Sequence, residues 1–458
     1  MRDFLVKVVL SYLRLWARLA LMLHRPYVIG VAGSVGKSST RNALQAALKD
    51  FFKTEVVSGN SETGVPLGIL GIDIAGFDKR NWLKTLLRAP FRLHHLKGIT
   101  HLIVEMGIDD PYPPKNMSYL LTIVKPDMSI DLNATATHTA QFEKLLKKYT
   151  KDSLEFILGK IAEEDSKIIT NGYTKVGIYN KDDLRLVEKI EKKARSESLI
   201  LQTFGTDKRN SIYYGDYAVT TKKTKFTYII PGQKMNRTLE LSFPGVLLPP
   251  ASRESFASVL LAAHALGLSY SQIKEALEKN FTIPKGRSSL FAGIKNSLII
   301  DSSYNSSKST VLSFLELLKN LKEKTGRPAV FLMGDMRELG NESKAEHEEV
   351  AGALIGVVDE LYCVGPLTTE FVVPRVKEFV GKKGKTRKVE AYKNAVQAAL
   401  HIKEELPENA IVLVKGSQNT LYLEEAIKFL LENPLDAKQL TRQEDYWMKT
   451  KQDFFSVS

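Results

Sequence analysis

The stretch YVIGVAGSVGKSST, from Tyr27 to Thr40, decides the fold of this chain. A β-branched apolar run carries Gly30, Gly33 and Gly36 at three-residue spacing, and Lys37 follows at the start of a helix-favouring segment, RNALQAALKD. Glycine reaches a positive φ without steric penalty, and the N–H groups at a helix N-terminus attract anions. The order of strand, glycine turn and helix therefore predicts a phosphate-binding loop.

Each polar residue of this loop has a use in binding a nucleoside triphosphate. Lys37 supplies a cation for the β and γ phosphates, and the Ser38 hydroxyl is a ligand for Mg²⁺. Val31 stands where the strict P-loop pattern has glycine, so the pattern here is the variant G-x-x-G-x-x-G-K-S. We expect ATP and Mg²⁺ as cofactors. The residues expected to contact the nucleotide are Gly33, Ser34, Gly36, Lys37, Ser38 and Ser39.

Composition sets the class of protein. With 458 residues, 43% of them hydrophobic, the chain is long enough for two or three globular domains. The single cysteine, Cys363, excludes disulfides within the chain and Cys-based zinc sites, and it fits a cytoplasmic protein. A formal charge of +13 favours acidic partners. Because no zinc-finger spacing or RNA-binding aromatic motif is present, nucleic acid is not expected among them.

Strands and helices alternate after the loop, which predicts an α/β fold with a parallel sheet. The run HLIVEMG ends in Glu105, and the next strand, in DMSIDLNATATHTAQF, leads to Asn133 and His138. Ligands of open α/β sheets lie beyond the carboxyl ends of the strands. We therefore expect Glu105, His138 and the loop to converge around Mg²⁺ and phosphate.

The alternation restarts near residue 286 and predicts a second parallel α/β domain. Its helices are expected at 308–323, 343–356, 391–404 and near 421–432. The predicted organisation of the chain is an N-terminal amphipathic helix at 1–25, a central domain at 26–285, a C-terminal domain at 286–435 and a charged tail at 436–458.

Two segments combine basic and large apolar residues. Residues 1–23 are interrupted by Lys7, Arg14 and Arg18, which is too broken a pattern for a transmembrane span. Residues 78–98 interleave Lys79, Arg80, Lys84, Arg88 and Arg92 with Trp, Leu and Phe. Each segment either packs on the globular body or makes peripheral contact with an anionic membrane surface.

The ordered set of motifs resembles the Mur ligase family, and within it the MurF type, which joins D-alanyl-D-alanine to UDP-N-acetylmuramoyl-tripeptide. The loop at Gly30–Thr40 is similar to that family's G-x-x-G-x-x-G-K-[ST]-[ST]-[ST] pattern, and GNSETGVP at 59–66 is similar to N-x-N-N-x-x-G-V-P. The further matches are VEMG at Glu105, N-x-x-x-x-H at Asn133 and His138, N-x-D-D at Asn180 to Asp183, GR at Gly286 and Arg287, D-x-S-Y-N at Asp301 to Asn305, GDMRELG with His347 beyond it, and KGS at Lys415.

The resemblance implies a P-loop ATPase domain followed by a Rossmann-like domain, and it implies amide-bond formation through an acyl phosphate. It implies that Lys37 holds phosphates and that Ser38, Glu105 and His138 serve Mg²⁺. Asn180 would face the adenine and Asp301 the ribose or nucleotide. Arg287 and Lys415 are cations suited to the transferred phosphoryl group or to a substrate carboxylate.

The sequence departs from the family pattern in two places that bear on the site. The N-terminal domain that holds UDP in the family has no counterpart, because the loop begins at residue 30. Many members carry a carbamylated lysine for a second Mg²⁺, and the alignment puts Asp165 there. Lys160 and Lys167 remain alternatives.

The sequence thus predicts a cytoplasmic, Mg²⁺- and ATP-dependent peptide ligase, with a peripheral position at the inner face of the cell membrane as a further hypothesis. The acceptor is a small-molecule or lipid-linked cell-wall precursor, and the amine is an amino acid or dipeptide. The alternatives are a folylpolyglutamate-type or other poly-amino-acid ligase and a non-catalytic nucleotide-binding partner of an envelope enzyme.

Overall fold

The computed structural model describes residues 2–73, 79–150, 152–193, 199–380, 386–418 and 420–457. These residues form two compact units. Unit 1 comprises residues 1–215, 227–241 and 252–282, and unit 2 comprises residues 216–226, 242–251 and 283–458.

Unit 1 is built on a sheet whose strands are separated mainly by helices. Its strands, three of which continue into unit 2, are β1 Tyr27–Ala32, β2 Thr54–Val56, β3 His101–Glu105, β4 Met128–Asp131, β5 Val176–Asn180, β6 Ile200–Gly205, β7 Ile212–Thr220, β8 Lys223–Ile230 and β9 Arg237–Pro244. Its helices are α1 Arg2–His24, α2 Lys37–Leu48, α3 Gly64–Ile69, α4 Lys79–Arg88, α5 Met117–Leu120, α6 Thr139–Phe142, α7 Ser153–Asp165, α8 Lys167–Thr170, α9 Leu184–Lys193, α10 Ser252–Ala265 and α11 Tyr270–Asn280.

The strand order is β2-β3-β1-β4-β5-β6-β7-β8-β9, with parallel pairing from β2 through β7. Strand β1 lies between β3 and β4, where Val31 pairs with Glu105 and Ala32 pairs with Asp131. The carboxyl ends of β3, β1, β4 and β5 therefore lie side by side. This topology confirms the α/β prediction and brings the predicted polar residues to one edge of the sheet.

Helix α1 confirms the predicted N-terminal helix. It buries Leu13, Ala17 and Ala20, whose spacing places them on one helical face. Helix α1 ends just before Pro26, since a residue preceding proline is disfavoured in the helical region. None of the helices in the described ranges has the length and apolarity that crossing a bilayer requires.

Unit 2 has a six-stranded sheet in the order β10-β11-β15-β12-β13-β14. The pair β10 and β11 is antiparallel and the other pairs are parallel. Its strands are β10 Ser289–Gly293, β11 Ser297–Ser302, β12 Ala329–Gly334, β13 Glu360–Val364, β14 Lys388–Tyr392 and β15 Ile411–Lys415; its helices are α12 Lys308–Thr325, α13 Ser343–Leu354, α14 Val373–Lys377, α15 Ala395–Glu405, α16 Glu424–Leu430 and α17 Asp445–Val457.

The last segment of the chain, expected to be a charged tail, carries helix α17. The Lys451 side chain is only 2% exposed and its Nζ donates to Glu425 Oε1 at 2.5 Å and to the Arg442 carbonyl at 2.6 Å. Lys451, one of the charges of this segment, is therefore paired within unit 2.

Candidate functional site

The turn after β1 has the conformation that its glycines predict. Gly33 has φ 122° and Gly36 has φ 93°, and a Cβ on Gly33 would lie 3.0 Å from the backbone nitrogen of Asn133. Helix α2 begins at Lys37 without a side-chain cap, so its first N–H groups are directed to the loop. The turn therefore has the backbone of an anion-binding loop.

Lys37 folds back over this loop. Its Nζ donates to the Gly33 carbonyl at 2.5 Å and to the Ser34 carbonyl at 3.2 Å. The ammonium is thus held at the mouth of the turn by neutral carbonyl oxygen atoms. A phosphate oxygen bound there would give the ammonium a negatively charged partner in their place.

Asn133 fixes the shape of the loop from the end of β4. Its Oδ1 accepts from the Val35 N–H at 2.9 Å, its Nδ2 donates to the Val35 carbonyl at 3.1 Å, and its carbonyl accepts from the Ser34 N–H at 2.7 Å. The sequence singled out Asn133 only as a motif match. Its contacts show that it braces the loop.

Glu105 is the centre of a polar cluster beside the loop. Its Oε2 accepts from the Ser38 hydroxyl at 2.9 Å and lies 3.3 Å from Arg41 Nη1, and its Oε1 accepts from Asn60 Nδ2 at 3.2 Å. The predicted proximity of Ser38 and Glu105 is therefore present. Sequence reasoning missed Arg41 and Asn60, although Arg41 lies one helical turn after Ser38 and Asn60 belongs to the GNSETGVP motif.

His138 lies at the start of α6, beyond the end of β4. It has φ 57°, and its Nε2 lies 3.6 Å from Asp109 Oδ1 in the loop that follows β3. The side chain therefore pairs with a carboxylate that the sequence did not suggest. Its role as a Mg²⁺ ligand stays a prediction.

Two buried aspartates lie near the loop lysine. Burial raises the pKa of Asp165 to about 7, while the Lys37 ammonium opposes that shift. Burial and the neighbouring Asp165 also raise the pKa of Asp131 well above its usual range. Neither oxygen of Asp131 has a hydrogen-bond partner within the described residues. The sequence did not single out Asp131, because a strand-terminal aspartate carries no motif of its own.

The lysines proposed as alternatives to Asp165 are engaged elsewhere. Lys160 pairs with Glu163 at 2.9 Å, and Lys167 pairs with Glu164 and donates to the Ser118 hydroxyl at 2.9 Å. Asp165, by contrast, interacts electrostatically with Lys37. These contacts favour Asp165 as the residue beside the second metal, which stays a prediction.

Asn180 ends β5 and organises the turn after it. Its Oδ1 accepts from the Asp182 N–H at 2.9 Å, while Asp183 Oδ2 accepts from the Ala134 N–H at 2.8 Å. The N-x-D-D motif therefore ties the end of β5 to the loop after β4. A contact between Asn180 and adenine stays a prediction.

Glu254 lies in the first turn of helix α10. It accepts from Asn133 Nδ2 at 3.1 Å, and burial raises its pKa to about 7. A carboxyl group that holds its proton near neutral pH can donate as well as accept hydrogen bonds. Only the fold reveals this contact, because Asn133 and Glu254 are 121 residues apart.

Unit 2 places three predicted residues close together. Burial and the positive charge of Arg287 lower the pKa of Lys415 to about 7, while Asp301 opposes that shift. Lys415 Nζ donates to the Asn305 carbonyl at 2.8 Å. Burial also raises the pKa of Asp301 to about 6. An anion bound by this group, in which Asp301 and Lys415 are buried and Arg287 is half-buried, would restore the full charge of Lys415.

The GDMRELG loop of unit 2 is held by hydrogen bonds from several elements. Asp335 Oδ1 accepts from the N–H of Thr368 at 2.7 Å and from its hydroxyl at 2.9 Å. His347 Nε2 accepts from the Met336 N–H at 3.1 Å, and its Nδ1 donates to the Ser343 carbonyl at 2.6 Å. Burial lowers the pKa of His347, so the neutral imidazole fits these two contacts.

No group of three or more His, Cys, Asp or Glu side chains within the described ranges is arranged to hold a metal ion unaided. Mg²⁺ usually binds one or two carboxylates and completes its octahedron with substrate phosphates and water. The Ser38 and Glu105 pair matches that requirement.

Comparisons with known proteins bear on this arrangement. The family model for the Mur ligase middle domain matches residues 31–247, and the model for the Mur ligase glutamate ligase domain matches residues 286–418. This chain belongs to the Mur ligase family. The resemblance inferred from the motifs is thereby confirmed, and membership assigns the chain to a family of ATP-dependent ligases.

Curated relatives of this Mur ligase carry the name UDP-N-acetylmuramoyl-tripeptide–D-alanyl-D-alanine ligase. The protein of Buchnera aphidicola subsp. Baizongia pistaciae is 23% identical over 76% of this chain and 65% of its own length. The Rickettsia prowazekii protein is 24% identical over 85% of this chain and 75% of its own length. The Escherichia coli protein is 24% identical over 89% of this chain and 77% of its own length. This chain thus spans about two thirds to three quarters of these relatives.

Solved structures share the fold. The MurF ligase of Thermotoga maritima, in complex with ADP, has a TM-score of 0.71 at 21% identity and covers 95% of this chain and 85% of its own. A variant of L. casei FPGS has a TM-score of 0.58 at 16% identity, covering 91% of this chain and 93% of its own. The predicted fold class is confirmed.

Proposed function

We propose that this Mur ligase uses ATP to convert a carboxylate of a cell-wall precursor into an acyl phosphate, which an amine then attacks to form an amide. The observation that carries the proposal is the contact between Ser38 and Glu105 beside the glycine turn and Lys37. The names of the curated relatives support a MurF-like reaction, in which the amine is that of D-alanyl-D-alanine.

The residues of unit 1 would perform the nucleotide part of this reaction. The N–H groups of the turn and the Lys37 ammonium neutralise the phosphates and hold them in line with the carboxylate. Asn133 and Glu254 keep the turn in its binding conformation. Positioning and charge neutralisation are the main contributions of the protein, because phosphoryl transfer needs little covalent help.

We propose Mg²⁺ as the metal, held by Ser38 and Glu105, with His138 and Asp165 as further ligands. The cation would neutralise charge on the transferring phosphoryl group. Asp131 and Asp165 support this assignment, because buried carboxylates with raised pKa values gain a charged partner when a cation binds. Arg287, Asp301 and Lys415 are proposed to serve the nucleotide or the second substrate from unit 2.

The carrier of the acceptor carboxylate is either a uridine nucleotide, as the names of the relatives state, or a membrane lipid. We propose the lipid-linked form, acted on by a cytoplasmic enzyme at the inner face of the membrane. Support comes from the basic and aromatic character of residues 1–23 and 78–98.

The experiment is an assay of ADP formation with Mg-ATP, D-alanyl-D-alanine and an acceptor peptide, either UDP-linked or lipid-linked. A ligase sustains turnover only when both the amine and the carboxylate are present, because the carboxylate alone gives at most one equivalent of ADP as the acyl phosphate forms. Lys37→Ala should lower this rate by about 10²–10³-fold, whereas the exposed control Lys53→Ala should retain it. Sustained ADP turnover independent of the amine, or no ADP formation with either acceptor, would refute the proposal; the absence of any ADP formation would favour a nucleotide-binding partner.

A folylpolyglutamate-type activity is the second candidate, because the L. casei FPGS structure shares the fold. The same assay separates the two ligases when glutamate replaces D-alanyl-D-alanine and a folate replaces the acceptor. We expect no ADP formation with that pair.

A further inference from the structure

Helix α1 presents an apolar face to solvent, opposite the face that it packs on unit 1. The buried face carries Leu10, Leu13, Ala17 and Ala20. At about 100° per residue, a second set of large apolar residues falls on the opposite side of the helix. These residues, all exposed, are Phe4, Leu5, Val8, Leu15, Leu19, Met22 and Leu23. A helix with two apolar faces is not accounted for by packing on unit 1 alone.

A basic row borders this exposed face. Lys7, Arg14 and Arg18 fall along one flank of α1 and Arg25 follows the helix directly; all but the half-buried Arg14 are exposed. Cations beside an apolar stripe are typical of helices that lie in the membrane interface, where the apolar side chains enter the acyl boundary and the cations meet headgroups.

Helix α4 and the turn after it repeat the pattern. Leu83, Leu87 and Phe91 follow one another at four-residue spacing, with exposed fractions of 61%, 63% and 87%. Lys84 and Arg88 lie next to them and are also exposed. The opposite side of α4 is turned towards the body, where Thr85 and Ala89 are buried.

The two helices are neighbours in unit 1. The Tyr12 hydroxyl donates to the Leu86 carbonyl at 3.1 Å, and His24 Nε2 donates to the Leu93 carbonyl at 3.1 Å. The contacts occur in the same order along both segments, so the segments run side by side. The exposed apolar residues and cations of these two neighbouring segments are together called the two-helix face below.

The sequences of the two segments carry charge of one sign. Residues 4–25 and 79–98 contain ten Lys or Arg residues and no Asp or Glu. Such a surface does not complement a second copy of itself, because like charges would meet. It complements an anionic surface that also accepts apolar side chains.

We propose that the two-helix face docks this protein on an anionic membrane surface, with Phe4, Leu83, Leu87 and Phe91 entering the interface and Lys7, Arg18, Lys84 and Arg88 contacting lipid headgroups. The proposal deepens the lipid-linked acceptor proposed above, because docking brings the enzyme to the leaflet that would carry it. Docking itself needs neither ATP nor substrate, so it can be tested separately.

The experiment is flotation of the full chain with two kinds of vesicle, phosphatidylcholine alone and phosphatidylcholine with phosphatidylglycerol. We expect binding to the anionic vesicles, weakened by salt, and at least tenfold less binding to the neutral ones. The variant Leu83→Ser/Leu87→Ser/Phe91→Ser should lose binding at least tenfold, as should Lys84→Glu/Arg88→Glu. These side chains are exposed, so the variants should fold, which circular dichroism checks.

The matched apolar control is Leu184→Ser/Met235→Ser, which changes exposed residues of unit 1 outside the two-helix face. It should bind vesicles as the unchanged protein does. Equal binding to neutral and anionic vesicles, no binding, or unchanged binding by the two-helix-face variants would overturn the proposal. The proposal would also be overturned if the unchanged protein failed to bind vesicles and instead formed a dimer that dissociates in the two-helix-face variants. Ligase activity on a soluble UDP-linked acceptor would be independent of all these outcomes.

Discussion

Lys37 and Asp165 are the residues on which the electrostatics of unit 1 depend. The ammonium lies over the glycine turn, and the buried carboxyl group interacts with it from within the fold. Neither charge has a full counter-charge without ligand. A bound triphosphate would supply the counter-charge for Lys37, and a bound cation would supply the counter-charge for Asp165. This is the physical reason for placing the nucleotide here.

The substitution Asp165→Asn should make the free energy of unfolding less dependent on pH between about 4 and 7. The folded-state pKa, about 7, lies above the ordinary value of 3.8. The folded protein therefore holds a proton that the unfolded chain releases, and stability falls as pH rises through this window. Asparagine has no such proton, so it should gain about 2–4 kcal/mol relative to aspartate between pH 4 and 8.

The measurement is urea unfolding in a Trp447→Phe background, where the fluorescence comes from Trp16 and Trp82 of unit 1. Asp73→Asn, at an exposed position, serves as the control. An identical pH dependence for Asp165→Asn and the unchanged protein would contradict the raised pKa.

At the scale of elements, the glycine turn is the feature on which the loop depends. Gly33→Ala should weaken both stability and ATP binding, because φ is 122° and the new Cβ would lie 3.0 Å from the Asn133 nitrogen and from Leu132 Cβ. We expect a stability loss of about 1–3 kcal/mol. Gly159→Ala is the matched control, since it lies within α7 and no atom is within 4 Å of its Cβ. It should be neutral or stabilise by up to about 1 kcal/mol. Equal effects of the two substitutions in thermal unfolding would contradict this account.

The sequence predicted most elements, and its errors have identifiable causes. The helix expected at 391–404 begins at Ala395, because β14 extends to Tyr392 and Asn394 caps the helix by accepting from the Gln397 N–H at 3.0 Å. That cap was readable in the sequence. The contacts of Arg41 with Glu105 and of Asn133 with Glu254 could not be predicted from the sequence, because they join residues that are 64 and 121 positions apart.

At the scale of the whole chain, the C-terminal segment is part of the folded core of unit 2. Arg442 donates two hydrogen bonds to Glu424, at 2.8 and 2.6 Å, and Glu424 is fully buried. Lys451 lies 3.5 Å from the same carboxylate. The sequence predicted only a charged tail here, because the partners Glu424 and Glu425 lie earlier in the chain and meet this segment only in the folded protein.

Arg442→Leu should destabilise unit 2 by about 3–5 kcal/mol, because it leaves the Glu424 carboxylate buried with one cation fewer. The double variant Glu424→Gln/Arg442→Leu should lose less, since both members of the ion pair are then gone. The readout is the fluorescence of Trp447 during urea unfolding. A single variant as stable as the unchanged protein would show that the pair does not hold the segment in place.

The central claim is that the turn between β1 and α2 binds Mg-ATP through Lys37. The most direct measurement is calorimetric titration of the purified chain with ATP in the presence of Mg²⁺, beside Lys37→Ala and the control Lys53→Ala. We predict one site, with affinity reduced at least tenfold by Lys37→Ala and unchanged in Lys53→Ala. No heat of binding in the unchanged protein, or equal affinity in the Lys37→Ala protein, would contradict the claim.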